Sequence, residues 1–154
     1  MVTEMSSGGF LLHPTLKKDT VLIASWPLCE LLLMKDANYP WAILVPRVGS
    51  SDNENSCFVK EIYQLSEADQ QQFWKESAIL GKGMMALFSG EKLNIGALGN
   101  MVSQLHVHHI VRYSSDVAWP APVWGKVPAK PLEEPLLGEW SAKLRSLCPP
   151  PRSA

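Results

Sequence analysis

Three of the four histidines in this chain fall within four residues, His106, His108 and His109, in the run Gln104-Leu105-His106-Val107-His108-His109-Ile110. Side chains on a strand alternate between faces. If residues 103–112 are extended, Gln104, His106, His108, Ile110 and Arg112 share one face, and Leu105, Val107, His109 and Val111 share the other. The first face then carries two imidazoles about 7 Å apart along the strand. Imidazole titrates near pH 6.5, so at neutral pH each ring has one nitrogen free to accept or attack and one N–H to donate. Such a face can bind and attack a phosphate, or share a metal ion between His106 and His108. It can also be a His-rich strand half exposed to water. His109 points away from the pair and reads as a core or rim histidine.

Composition narrows the choice. The chain has 154 residues, 46% hydrophobic and 19% charged, with net charge −1. That suits one domain with a real core. It offers no broad basic field for a nucleic-acid polymer or an anionic membrane, so any bound phosphate must be met by a few placed donors. The three cysteines, Cys29, Cys57 and Cys148, show no CxxC spacing. Reduced thiols in a cytoplasmic protein are the expectation, with no zinc site and no cofactor. The N-terminus lacks a basic stretch followed by an apolar one, so no signal peptide is expected.

The elements that must position the histidines are legible in outline. Thr20–Trp26, Cys29–Lys35 and Trp41–Arg47 read as strands, the last two joined by the turn formers Asp36-Ala37-Asn38-Tyr39-Pro40. Gly49–Asn55 reads as a polar loop. Ser66 followed by Glu67 and Asp69 starts a helix, Phe73, Ile79 or Leu80, Met84 and Leu87 or Phe88 recur at helical spacing, and Ser89-Gly90 ends it. Lys92–Ala97 and Ser103–Arg112 complete the strands. Leu136–Leu147 is weakly amphipathic, the first nine residues read as frayed, and Pro149–Ala154 reads as a loose tail. Strands clustered about one good helix give an α+β fold.

At the His-rich strand the sequence resembles the histidine triad (HIT) superfamily of nucleotide hydrolases and transferases, whose motif is His-φ-His-φ-His-φ-φ with φ apolar. Asn94-Ile95-Gly96 resembles the segment before the triad. Leu32–Asp36 and Trp41–Arg47 resemble the family's paired strands. Leu12-His13-Pro14, Tyr39-Pro40-Trp41, Leu98-Gly99-Asn100 and Trp119-Pro120 look like a bacterial branch with Gln at the first triad position. The resemblance spans residues 10–125, taken as a HIT-like domain, and leaves 126–154 as a C-terminal extension with a Pro-rich tail. It implies an antiparallel sheet of about five strands with one main helix, pairing as a homodimer. Two departures stand out: Gln104 replaces the first triad His, and His109 occupies an apolar position.

The resemblance also implies a mechanism. His106, the middle His, would attack the α-phosphorus of a nucleotide and form a nucleotidyl-imidazole, its other nitrogen held by an acceptor, usually a backbone carbonyl. His108 would bind phosphoryl oxygens or the leaving group, and Gln104 would donate through its amide without a titrating proton. Dinucleoside polyphosphates, with good leaving groups, are the implied substrates, and a nucleotide binder with little turnover is the alternative. Asn94 and Asn100 would lie around the phosphates and Asp36 near the ribose. Arg47 and Arg112 would supply charge. Trp41, Trp119 and Trp124 could cover a base or simply pack, and His13 reads as structural.

Overall fold

The computed structural model describes residues 10–49 and 58–152. The expected loop beyond Gly49, the N-terminal nine residues, Cys57, Ser153 and Ala154 lie outside the described residues. In chain order the elements are α1 (Pro14–Asp19), β1 (Thr20–Ser25), β2 (Cys29–Met34), β3 (Trp41–Pro46), a single 3-10 turn (Ile62–Gln64), α2 (Glu67–Leu87), β4 (Lys92–Gly96), β5 (Val107–Arg112) and α3 (Leu136–Arg145). The strands form one antiparallel sheet in the order β1-β2-β3-β5-β4. The expected α+β class and five-stranded antiparallel sheet are both present.

The β2–β3 hairpin turns where Asp, Asn and Pro predict it. Asp36 Oδ1 accepts from the Asn38 amide at 2.9 Å and closes the turn locally. β3 is continuously apolar because the middle of the sheet is covered on both faces. Cys29, Leu31, Leu33, Ala42, Leu44, Val107 and Val111 face one cluster, shared with α2 and α3. Leu32, Trp41, Ile43, Val45 and Ile110 face a second, which includes Phe10, Leu16 of α1 and Tyr39. Alternation along β3 and β5 thus sorts neighbouring side chains into two cores.

Helix α2 begins as its sequence dictates. The Ser66 side chain accepts from the Asp69 amide at 3.1 Å, with Glu67 and Asp69 in the first turn. Phe73, Ser77, Leu80, Gly81 and Met84 form its buried stripe, while Ile79 is on the exposed side. Ser89, at φ 50°, turns the chain out of the helix. Within the stripe lies one charged residue. Glu76 is wholly buried and accepts from the backbone amides of Leu28 (2.9 Å) and Cys29 (3.0 Å) and from the Gln72 side chain (2.9 Å). A helix side chain therefore satisfies the backbone where β2 begins.

The C-terminal part is more ordered than its composition suggests. Leu132 and Leu144 are core residues beside α2, with Leu136, Leu137, Trp140 and Leu147 packed against the same cluster. Arg152 pairs with Asp69 at 2.6 Å, so the expected loose tail is anchored at that point. The tail read as loose because its prolines exclude helix and sheet; they do not exclude an ion pair. No helix among the described residues is long and apolar enough to cross a membrane.

Glu76 yields a stability prediction. Glu76→Ala leaves two buried amides without acceptors, each worth about 1–3 kcal/mol. Urea unfolding should show a loss of about 2–5 kcal/mol at an unchanged slope. A loss under about 0.5 kcal/mol, the scale of an ordinary surface substitution, would mean that water takes over as acceptor.

Candidate functional site

Strand β5 starts at Val107, later than the expected Ser103. Gln104 and His106 lie in the segment leading into it, where the Leu105 amide donates to Val59 O at 2.8 Å. That segment has left the β3 and β4 ladders, so sequence alternation alone could not locate the strand's start. The expected division of faces survives: Leu105 joins Val107 and Val111 in the helix-side cluster, and the His106 and His108 rings lie together on the opposite side, 5.0 Å apart.

Each ring has a fixed tautomer. His106 Nδ1 lies 2.7 Å from Gln104 O. A carbonyl only accepts, so Nδ1 carries the proton and Nε2 is left with a bare lone pair. The acceptor is the backbone carbonyl of the first triad position. His108 Nδ1 accepts from the Trp41 indole N–H at 2.9 Å, so its proton is on Nε2. Trp41 and Trp124 pack edge-on against the His108 ring at 5.5 and 5.4 Å. Burial lowers the His106 pKa, the backbone bond to Gln104 opposes this, and the charge of His13 lowers it further. Burial, then the charges of His106 and His109, bring His108 down to about 3. At neutral pH the site therefore holds a neutral imidazole with a bare nitrogen beside a neutral imidazole N–H donor.

His109 takes no part in it. It points to α2, where its Nε2 accepts from Ser77 Oγ at 2.7 Å while Nδ1 donates to Val107 O at 3.1 Å. Burial brings its pKa down to about 4. A polar residue at an apolar position is accommodated by one serine of the helix.

The other expected residues divide. Gln104 is bonded within the protein through both ends of its amide: Nε2 donates to Leu11 O at 2.9 Å and Oε1 accepts from His13 N at 2.8 Å. Arg112 is buried, and four of its five N–H donors are bonded within the protein. It binds Asp116 through Nε (2.8 Å) and Nη2 (3.0 Å), Asn94 Oδ1 (2.9 Å) and Ala121 O (2.8 Å), and lies over Tyr39 and Trp119. Its charge serves Asp116, and Asn94 meets the guanidinium with its oxygen. Arg47 bonds the backbone carbonyls of Trp26 and Pro27 beyond the far end of β3. Asn100 is exposed in the turn made by Gly99, whose φ of 69° suits glycine. A narrow cleft between that turn, Lys60 and His106 has a volume of 10 Å³.

Beyond His108 lies a larger pocket of 410 Å³, lined by Lys18, Lys35, Asp36, Trp41 and Trp124 among others. Asp36 Oδ1 accepts from Asn38 N and Lys130 N. Sequence reasoning found Asp36, Trp41 and Trp124 singly but missed Lys18 and Lys35, and it missed the indole bond to His108. Only the β3–β5 register, with Trp41 opposite Ile110 and Ile43 opposite His108, brings that indole to the ring. Among the described residues no three His, Cys, Asp or Glu side chains converge to hold a metal ion.

A sheet of this order, backed by one long helix and carrying two tautomer-fixed imidazoles, defines a class of α+β proteins with a histidine-centred site. The HIT domain model matches residues 15–115. The chain is 49% identical to a histidine triad protein from Marinobacter aquaeolei, over 88% of this chain and 93% of that one, with a TM-score of 0.81. A histidine triad protein from Bradyrhizobium japonicum is 40% identical over 88% and 96% of the two chains, TM-score 0.81. One from Sinorhizobium meliloti is 36% identical over 94% and 100%, TM-score 0.83. The chain belongs to the HIT domain family. No match is found among curated proteins.

The depressed histidines fix how stability responds to acid. His108 and His109 titrate in the folded state at about 3 and about 4, below the unfolded value of 6.5. Their stabilisation is complete above pH 6.5 and is lost as pH falls toward those folded values, because the unfolded chain takes up protons that the folded chain refuses. At pH 5 each should cost up to about 2 kcal/mol relative to pH 7.5. Urea midpoints at the two pH values test this. His109→Gln, whose amide reaches about as far as Nε2 and does not titrate, should remove about half of the difference. An unchanged pH difference in that variant would mean that His109 is not a source.

Proposed function

We propose that this protein is a nucleotide hydrolase or nucleotidyl transferase acting at the α-phosphate through a covalent nucleotidyl-histidine. The observation that carries the reading is the orientation of His106, with Nδ1–H tied to Gln104 O and Nε2 bare. Attack by Nε2 forms a P–N bond and breaks the bond from phosphorus to the leaving oxygen, which departs with the bonding electrons. Water then attacks the phosphorus, breaks the P–N bond and releases a nucleoside monophosphate. Two easier displacements replace one harder one. His108 Nε2–H donates to the phosphoryl oxygen as charge develops there.

The 410 Å³ pocket suits a nucleoside. Trp41 and Trp124 offer a base its walls, and the Asp36 carboxylate is the group to accept from ribose hydroxyls. Lys18 and Lys35 at the same pocket answer the polyphosphate's charge. With the neighbouring His108 neutral, His106 is best matched to leaving groups that need no proton, so a dinucleoside polyphosphate is favoured. The Gln104 side chain, bonded at both ends to backbone, favours a second reading: a nucleotide-binding protein with little turnover. A metal enzyme has less support, because the Trp41 bond puts the His108 proton on the nitrogen that a metal would need.

Free thiols at Cys29 and Cys148 suit a cytoplasmic setting. A two-fold homodimer is part of the proposal. β4 is an edge strand with Ile95 exposed, and Leu98 and Met101 follow it on the surface. An apolar edge of this kind invites pairing with its own copy. Light scattering should give a mass near twice 17.1 kDa; a monomer at micromolar concentration would overturn this part.

The enzymatic reading is tested with diadenosine tetraphosphate. His106→Ala should lower kcat by at least about a hundredfold, the scale expected when a covalent route is lost, while the far-UV spectrum and urea midpoint stay close to wild type. Rapidly quenched wild type should carry a nucleotidyl adduct by mass, and His106→Ala should not. Tight binding with no turnover in wild type would favour the second reading.

A further inference from the structure

The first triad position holds a glutamine whose side chain is bonded to the N-terminal segment. Its two bonds run to Leu11 and His13, 93 and 91 residues away in sequence. An amide offers a donor and an acceptor side by side, and here they meet a carbonyl and an N–H of one extended segment. The same residue holds His106 through its backbone oxygen. Gln104 is therefore bonded to two histidines at once, to the ring of one and to the backbone of the other.

The segment so held lies on the site's side of the sheet. Phe10 and Leu12 pack in the cluster with Tyr39, Trp41, Ile43 and Ile110, the cluster that borders His108. His13 follows immediately. Its Nδ1 accepts from Thr15 N at 3.1 Å, capping α1. A ring that accepts through Nδ1 carries its proton on Nε2, on the edge turned away from the cap. The ring is half-buried, and the backbone at His13 and the ring of His106 are bonded to the same residue, Gln104.

We propose that His13 is a third imidazole of the site: Gln104 holds the N-terminal segment, and the segment sets the His13 Nε2–H beside His106, where it binds the phosphoryl group. Gln104 is then a positioning residue and His13 a phosphate-binding one. His13 acts as a hydrogen-bond donor rather than as a proton donor, since it binds with its neutral ring already capping the helix. The inference rests on the nucleotide reading above and adds a residue that the strand motif does not contain.

The test must separate this role from helix capping. Asn caps helices as well as any residue, so His13→Asn keeps the cap and removes the Nε2 donor. Binding of adenosine monophosphate by titration calorimetry should weaken at least about tenfold, the scale of one hydrogen bond to a charged group, with the thermal midpoint within a few degrees of wild type. Gln104→Ala should weaken binding similarly. The double variant should be no worse than the more damaging single one, since both remove one interaction. His13→Ser, another good cap, serves if the Asn variant folds poorly. Wild-type affinity in a folded cap-preserving variant overturns the role of His13 and leaves the nucleotide reading standing. Additive losses overturn the positioning role of Gln104. Failure of wild type to bind adenosine monophosphate or diadenosine tetraphosphate overturns both readings together.

Discussion

Arg112 carries a positive charge at the end of β5 with 1% of its surface exposed. A guanidinium there persists only if its charge is paired and its donors are bonded, and the partners it takes define the surrounding structure. Asp116 binds it through both oxygens and also accepts from the amides of Tyr113, Ala118 and Trp119. One ion pair thus folds the loop after β5 back over the sheet. Asn94 ties β4 to the same group and Ala121 ties in the far side of the loop. Trp119 and Tyr39 cover the guanidinium faces. The hydrogen bonds to Arg112 and the backbone hold the Asp116 carboxyl below its ordinary range, although burial alone would raise it. Trp124, which walls both His108 and the 410 Å³ pocket, follows this loop, so the site depends on a buried ion pair outside that pocket's lining.

How far the sequence speaks for itself depends on the range of each cause. Alternation along one strand is local, so the separation of His109 from His106 and His108 could be read directly, as could the Ser66 cap and the Asp36 turn. The stretch 32–47 showed two strands because both faces of the sheet are covered and its residues are apolar on both. The start of β5 could not be read, because residues 104–106 remain extended after they leave the ladder, and side-chain type does not record whether a backbone amide bonds a strand or a loop.

Long-range pairing is where reading by residue type gave a different answer. Arg112, Asn94 and Gln104 are all suited to phosphate, and all three are engaged within the protein by partners 4 to 93 residues away. A polar side chain in a small domain serves whatever is nearest in space, and nearness across a sheet is set by strand order. The placement of β5 between β3 and β4 brings Trp41 to His108, and nothing in either residue's neighbourhood announces it. The C-terminal helix illustrates the same point from the apolar side. Its weak amphipathicity was visible, but the surface it covers belongs to β1 and α2, far earlier in the chain.

The pairing of ring nitrogens has a consequence for reactivity. Four histidines bring eight nitrogens. His13 and His108 each accept through Nδ1, from Thr15 and Trp41; His109 accepts through Nε2, from Ser77. His106 alone donates through Nδ1 and keeps Nε2 unoccupied. Among the four histidines one imidazole lone pair is thus left without a hydrogen-bond partner, just ahead of β5. Hydrogen-bond accounting, rather than exposure, distinguishes this ring from three like side chains. An acylating reagent small enough to enter would meet the same arithmetic as a phosphoryl group.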